Sequence, residues 1–123
     1  MRSEEMIKLL PSGLREVLQK MNLDVAGLQE IRLRAEQPAV ILSHGKEYVS
    51  QTVIHRRQLE ETLAYLGNYS LYAYEEEIRR GYLSLPGGHR VGIAGRVVVE
   101  DGNIRTITAI SSLNLRFAHQ ILG

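Results

Sequence analysis

The sequence predicts an α+β fold, with amphipathic helices packed on an antiparallel sheet, and three observations carry that expectation. Apolar residues recur at helical spacing at Leu14–Met21 and again at Leu59–Leu66. From Tyr82 onward the pattern changes to the period-two alternation of strands. Within that region Asp101-Gly102 is the strongest hairpin signal present, and it closes a C-terminal β-meander.

In chain order, Ser3 is placed to cap a short helix whose first turn holds Glu4 and Glu5, charges that suit the positive end of a helix. Pro11 interrupts it and Ser12 is the next candidate cap. Leu14, Val17, Leu18 and Met21 then form an i, i+3, i+4, i+7 stripe. Glu30-Ile31-Arg32-Leu33-Arg34 alternates, so Ile31 and Leu33 are expected inside and the three charged residues outside. Pro38 ends the connection that follows. Ala39–Leu42 reads as a buried strand, turned back by His44-Gly45 into Lys46–Val49.

A helix from about His55 to Leu66 buries Leu59, Thr62, Leu63 and Leu66, with Gly67 as its stop. A second runs from about Tyr72 to Arg80, closed by Gly81. Its Glu75–Arg79 and Glu76–Arg80 pairs are each worth about 0.3–0.5 kcal/mol. Tyr82–Leu85 is a short strand, Pro86-Gly87-Gly88 a turn, and His89–Val99 a long strand. With Asp101-Gly102 as the turn, Glu100 faces Asn103. Val91, Ile93, Val97 and Val99 then share the core face with Ile104, Thr106, Thr108 and Ile110. Arg90, Gly92, Ala94, Arg96 and Val98 lie opposite, beside Arg105, Ile107 and Ala109. Inward positions are even-numbered through Ile110 and odd-numbered in Leu113, Leu115 and Phe117, so Ser111-Ser112 must be a bulge or the link to a new strand.

The chain has 123 residues, the size of one domain, with a candidate sub-boundary near Ser50 separating helices plus hairpin (1–50) from two helices plus meander (51–123). Its 44% hydrophobic and 24% charged residues fit a globular core and exclude intrinsic disorder. A formal charge of +1 provides no global attraction for nucleic acid or anionic lipid. Cysteine is absent, which removes disulfides, thiolate metal sites and thiol nucleophiles. No apolar stretch has the length of a signal peptide core or a membrane span, so a cytoplasmic location is expected. The apolar pattern Leu115, Phe117, Ile121, Leu122 runs up to Gly123, which reads as a cut inside a longer protein.

Catalytic motifs are missing. A phosphate-binding loop needs Gly, four residues, then Gly-Lys-Ser/Thr. The only Gly-Lys, Gly45-Lys46, is followed by Glu47 and has Val40 where the first glycine belongs. Gly92-Ile93-Ala94-Gly95 completes no dinucleotide fingerprint, and glycines there are expected to permit close backbone packing. His44, His55, His89 and His119 lack metal-ligand spacing and read as surface or capping residues. No metal, cofactor or catalytic residue is therefore expected in the chain.

Two groups remain. Tyr65, Tyr69, Tyr72, Tyr74 and Tyr82 crowd one region, as a packed aromatic cluster, a protein interface or a base-stacking platform. Arg90, Arg96, Arg105 and Arg116 project from strands between small residues. Their guanidinium forks suit a phosphate, an acidic partner surface or internal Glu pairs.

Five segments decide between these readings: Glu30–Arg34 with Pro38, Tyr69–Glu77, Leu85–Gly92, Gly95-Arg96 and Ile110–Arg116. In order and spacing they resemble the stage III sporulation protein AA family of endospore-forming bacteria, across essentially the whole chain. The resemblance implies the N-terminal regulatory and assembly domain of an ATPase similar to the type II and type IV secretion motors. Those are cytoplasmic hexamers whose C-terminal domain holds ATP and Mg. It implies work on the mother-cell side, peripheral to the forespore membrane, powering a channel between mother cell and forespore. The implied partners are the protein's own C-terminal domain, neighbouring subunits and membrane-embedded channel proteins, with no DNA or RNA. It also implies nucleotide-facing or interdomain positions at Arg90, Arg96 and Arg116. Tyr69, Tyr72, Tyr74, Glu75 and Arg105 are expected at interfaces. The rival reading is a small nucleic-acid-binding module using the tyrosines and the arginine face, which the charge of +1 disfavours. A membrane-peripheral scaffold docking through the Leu14–Met21 helix is a third, although packing on its own sheet explains that stripe more simply.

Overall fold

A chain whose strands alternate apolar and polar residues buries one sheet face and leaves the other to water, and the architecture follows from that. The computed structural model describes residues 7–8, 10–23, 25–68, 74–100 and 103–118; at 25, 74, 75, 96–100 and 103–108 it describes the backbone alone. Helix α1 (Ser12–Met21) and a 3-10 turn (Val25–Gly27) precede strands β1 (Leu28–Arg34), β2 (Gln37–Ser43) and β3 (Lys46–Ile54). Helices α2 (Arg56–Gly67) and α3 (Tyr74–Arg79) lead to β4 (Tyr82–Ser84), β5 (Arg90–Glu100) and β6 (Asn103–Arg116). All six strands form one antiparallel sheet in the order β3-β2-β1-β6-β5-β4. This is the α+β arrangement expected.

The core lies between one sheet face and the helices. Leu14 and Leu18 of α1 and Leu59, Leu63 and Leu66 of α2 are buried with Ile31, Leu33, Ile41, Val91, Leu113 and Leu115 from the strands. Thr62 joins them because its hydroxyl donates to the Gln58 carbonyl at 2.6 Å, which makes a polar residue tolerable inside. His44 (φ 50) and Gly45 (φ 75) both take left-handed conformations between the paired Ser43 and Lys46, a two-residue turn matched to strand twist.

Several expectations need correction. Ser12 does not cap α1: the cap position falls on Pro11 and Ser12 is the first helical residue, because the proline ring already holds its φ near −65°. At the other end Asn22, left-handed at φ 51, donates its N–H to the Gln19 carbonyl. Pro38 sits inside β2 beside a register shift rather than ending a connection, and β3 runs five residues beyond Val49. Gly67 belongs to α2, with Asn68 in the cap position. The β5–β6 register starts at Glu100↔Asn103 as expected and then slips twice, between Val98/Val99 and between Ala94/Arg96. The first slip leaves Arg105 as the inserted residue of β6. The second places the extra β6 residues opposite Gly95, which resolves the Ser111-Ser112 alternatives in favour of a bulge within one continuous strand. The helix begun at Ser3, the Asp101-Gly102 turn residues and His119 lie outside the described residues. The first slip also overturns the shared face expected there: Val97 pairs with Ile107, while Thr106 and Thr108 pair with Val98 and Arg96.

Candidate functional site on the open sheet face

Strand pairing places two rungs across the face that is not packed by the core. One runs Glu30↔Arg116↔Arg90↔Ser84 and the other Arg32↔Asn114↔Gly92↔Tyr82, from β1 through β6 and β5 to β4. Side chains opposite one another in a ladder lie within about 5.5 Å at Cβ. The fold therefore gathers Arg90, Arg116 and Tyr82, which sequence reasoning singled out, with Glu30, Arg32 and Asn114, which it did not.

Glu30 was expected outside with its neighbours. It shares their face but is buried to 9% exposure, because Arg32, Asn114 and Arg116 close over it. Arg32 Nε and Nη2 both reach Glu30 Oε2 at 3.1 Å, and Arg32 Nη1 reaches Glu47 Oε1 at 3.3 Å. Arg116 Nε lies 3.6 Å from Glu30 Oε1. Burial pushes the Glu30 carboxyl up, but the Asn114 hydrogen bond and the two guanidinium groups more than offset it, so the carboxyl ends below its ordinary value. Asn114 Oδ1 is buried without a hydrogen-bond partner among the described residues.

Arg90 is exposed and its guanidinium carbon lies 4.6 Å from the centroid of the Tyr82 ring, a cation–π contact. Among the described residues it has no carboxylate partner. Arg96 pairs with Thr108 through the backbone, two residues beyond Ala94 and past the bulge, so it is not on the same rungs as Arg90 and Arg116. Tyr69 and Tyr72 lie outside the described residues, and Tyr74 and Glu75 begin α3 with side chains that are not described. Beside them Arg80 Nη2 meets Glu76 Oε1 at 3.2 Å, as the helical spacing predicts.

The histidines divide. His55 occupies the cap position of α2, its backbone N–H donates to Gln58 Oε1 at 2.8 Å, and its Nδ1 lies 2.9 Å from Glu36 Oε2. His89 contradicts the surface reading. It is 1% exposed, its Nδ1 accepts the Ala118 N–H at 3.0 Å, and its ring meets Phe117 edge-on at 5.7 Å. Among the described residues, no cluster of three or more His, Asp or Glu is placed to hold a metal ion. Gly45-Lys46 cannot cradle phosphate: Lys46 opens a strand, and the two-residue turn has no run of backbone N–H groups to wrap an anion. These residues do not fit ATP and Mg.

Three of the five segments that carry the family resemblance converge here. Glu30–Arg34 lies in β1, Leu85–Gly92 leads into β5, and Ile110–Arg116 is the end of β6, three neighbours in the sheet. The sequence matches the family described as sporulation stage III, protein AA, over residues 1–123. The chain belongs to the stage III sporulation protein AA family. It is 33% identical over 120 residues to Stage III sporulation protein AA of Bacillus subtilis (strain 168), covering 97% of this chain and 39% of that protein. The chain thus spans well under half the length of this curated family member. No solved structure matches it. No helix among the described residues is long and apolar enough to cross a membrane.

Proposed function

We propose that this chain is the non-catalytic N-terminal regulatory and assembly domain of a sporulation ATPase that resembles secretion motors. In this reading ATP and Mg bind a C-terminal domain outside these residues. The assembled protein, a cytoplasmic hexamer on the mother-cell side of the forespore membrane, drives a mother cell–forespore channel. The observation that carries it is family membership across the whole chain with only 39% of the B. subtilis protein covered, in a sequence without a phosphate loop. The open face, with Arg90 and Arg116 on adjacent strands, supplies a surface for the ATPase domain or a neighbouring subunit.

The test uses the full-length family protein. Arg90→Ala, Arg96→Ala and Arg116→Ala should fold and lose ATP turnover by about tenfold, the equivalent of ~1.4 kcal/mol in the barrier. Normal turnover in all three variants removes the arginines from the coupling surface. Turnover of ATP with Mg by the purified 123-residue chain would overturn the division of labour itself. The nucleic-acid reading draws on the Tyr82–Arg90 stack, but the ionised Glu30 in the same patch opposes a phosphate backbone. Salt-sensitive micromolar binding of single-stranded RNA would restore it.

A further inference from the structure

Gly92 sits in the middle of the open face, between Tyr82 on β4 and Asn114 on β6, and nothing among the described residues requires a glycine there. Its φ is not in the left-handed region, and an added Cβ would meet Asn114 Cβ at 3.8 Å and Asn114 O at 3.9 Å, ordinary contact distances. Gly95, three residues on, is the opposite case: its φ is +149° and a Cβ would lie 2.6 Å from Ile110 Cα. A strand interior without a side chain loses packing and backbone order, and where neither bend nor bulge explains it, close approach by another group does. With no side chain at Gly92, its rung leaves a gap, the notch, between Tyr82 and Asn114 and next to the Arg90–Arg116 rung.

Those two arginines stand directly opposite each other, a repulsive arrangement for like charges. Their compensation is thin. Arg116 has the 3.6 Å contact with Glu30, which Arg32 already holds at 3.1 Å, and among the described residues Arg90 has only the Tyr82 ring. We propose that the Gly92 notch receives an Asp or Glu side chain from another polypeptide segment of the full-length family protein, clamped between Arg90 and Arg116.

A carboxylate on a polypeptide fits better than a phosphate for two reasons. The ionised Glu30 beside Arg116 repels a dianion more than a monoanion. The same face also continues across β1 onto half-buried Val40 and Leu42 and 60%-exposed Val49, an apolar flank that suits a protein surface. The inference rests on the docking reading above and adds its contact point and chemistry.

Hydroxyl-radical footprinting of Tyr82, read by mass spectrometry, tests both. Tyr82 should be labelled several-fold less in the full-length protein than in the 123-residue chain. Gly92→Val, which fills the notch, and Arg116→Gln, which removes one clamp without touching Tyr82, should each return labelling to the level of the chain alone. Both variants of the chain should melt at the wild-type temperature. If Tyr82 is protected in the wild-type protein and equally in both variants, the face is covered but not through this notch, and the inference fails while the docking reading stands. Equal labelling of chain and full-length protein ends both. Protection of the isolated chain by inorganic phosphate would identify a small-anion site and overturn the carboxylate.

Discussion

Glu30 shows how a residue that reads as exposed becomes part of the interior. Its place in an alternating strand puts it on the face opposite Ile31 and Leu33, which the pattern states correctly. What the pattern omits is that β6 lies beside β1 and brings Asn114 and Arg116 over the carboxylate. That neighbour is some eighty residues distant in sequence, so no local signal reports it. The consequence is testable through pH. The folded-state value of Glu30 is lowered from 4.5, so the ionised form stabilises the fold above that value, and the contribution disappears as pH falls through the lower folded-state value. Glu36 is lowered in the same sense by the hydrogen bond with His55 and the Arg56 N–H, so it shares the window. Glu30→Gln should cost about 1–3 kcal/mol in urea unfolding at neutral pH, because Arg32 loses its charged acceptor. The gap between variant and wild type should shrink as pH falls below 4.5 and through the lower folded-state value, where the wild-type carboxylate is protonated too. A gap that stays constant across that range would show that ionised Glu30 contributes nothing to the fold.

At the level of elements, the helices were legible because they rest on short-range rules, whereas the ends of β2 and β3 were not. The α2 stripe of Leu59, Thr62, Leu63 and Leu66 is buried as the 3.6-residue period requires. Leu63→Ala should therefore cost about 2–5 kcal/mol by thermal or chemical melting. The parity change between Ile110 and Leu113 announced a bulge, but periodicity alone does not locate its partner. That partner is Gly95, whose missing side chain lets β6 pass close enough for Ile110 to stay in the core. Gly95→Ala should destabilise by about 2 kcal/mol or more, since it combines a disfavoured φ with a backbone collision. Gly92→Ala should stay within about 0.5 kcal/mol of wild type. Equal melting temperatures for the two alanine variants would mean that the β5–β6 crossing does not depend on Gly95. The slip that isolates Arg105 was invisible for a related reason: a hairpin turn fixes register only as far as the next inserted residue.

For the whole molecule, the position of the β1–β6 seam decides what can stand alone. Strands β1, β2 and β3 come from the first half of the chain and β4, β5 and β6 from the second, and among the described residues the two sets pair along Glu30↔Arg116 through Arg34↔Ser112. Ser50 falls inside β3, where its Oγ accepts the Ala39 N–H at 2.9 Å across the bulge. Helix α2 follows β3 in sequence yet packs on β6 and β1, so it ties the halves together from the core side. A fragment of residues 51–123 would lose β1 and leave Ser112–Arg116 of β6 as an unpaired edge, with Leu113 and Leu115 robbed of Ile31 and Leu33. Exposed apolar edges associate with one another. The fragment should therefore show no cooperative thermal transition and should aggregate at concentrations where the whole chain does not. A sharp reversible melt from residues 51–123 alone would place an independent folding unit after Ser50 and would mean that the seam joins two domains rather than one sheet.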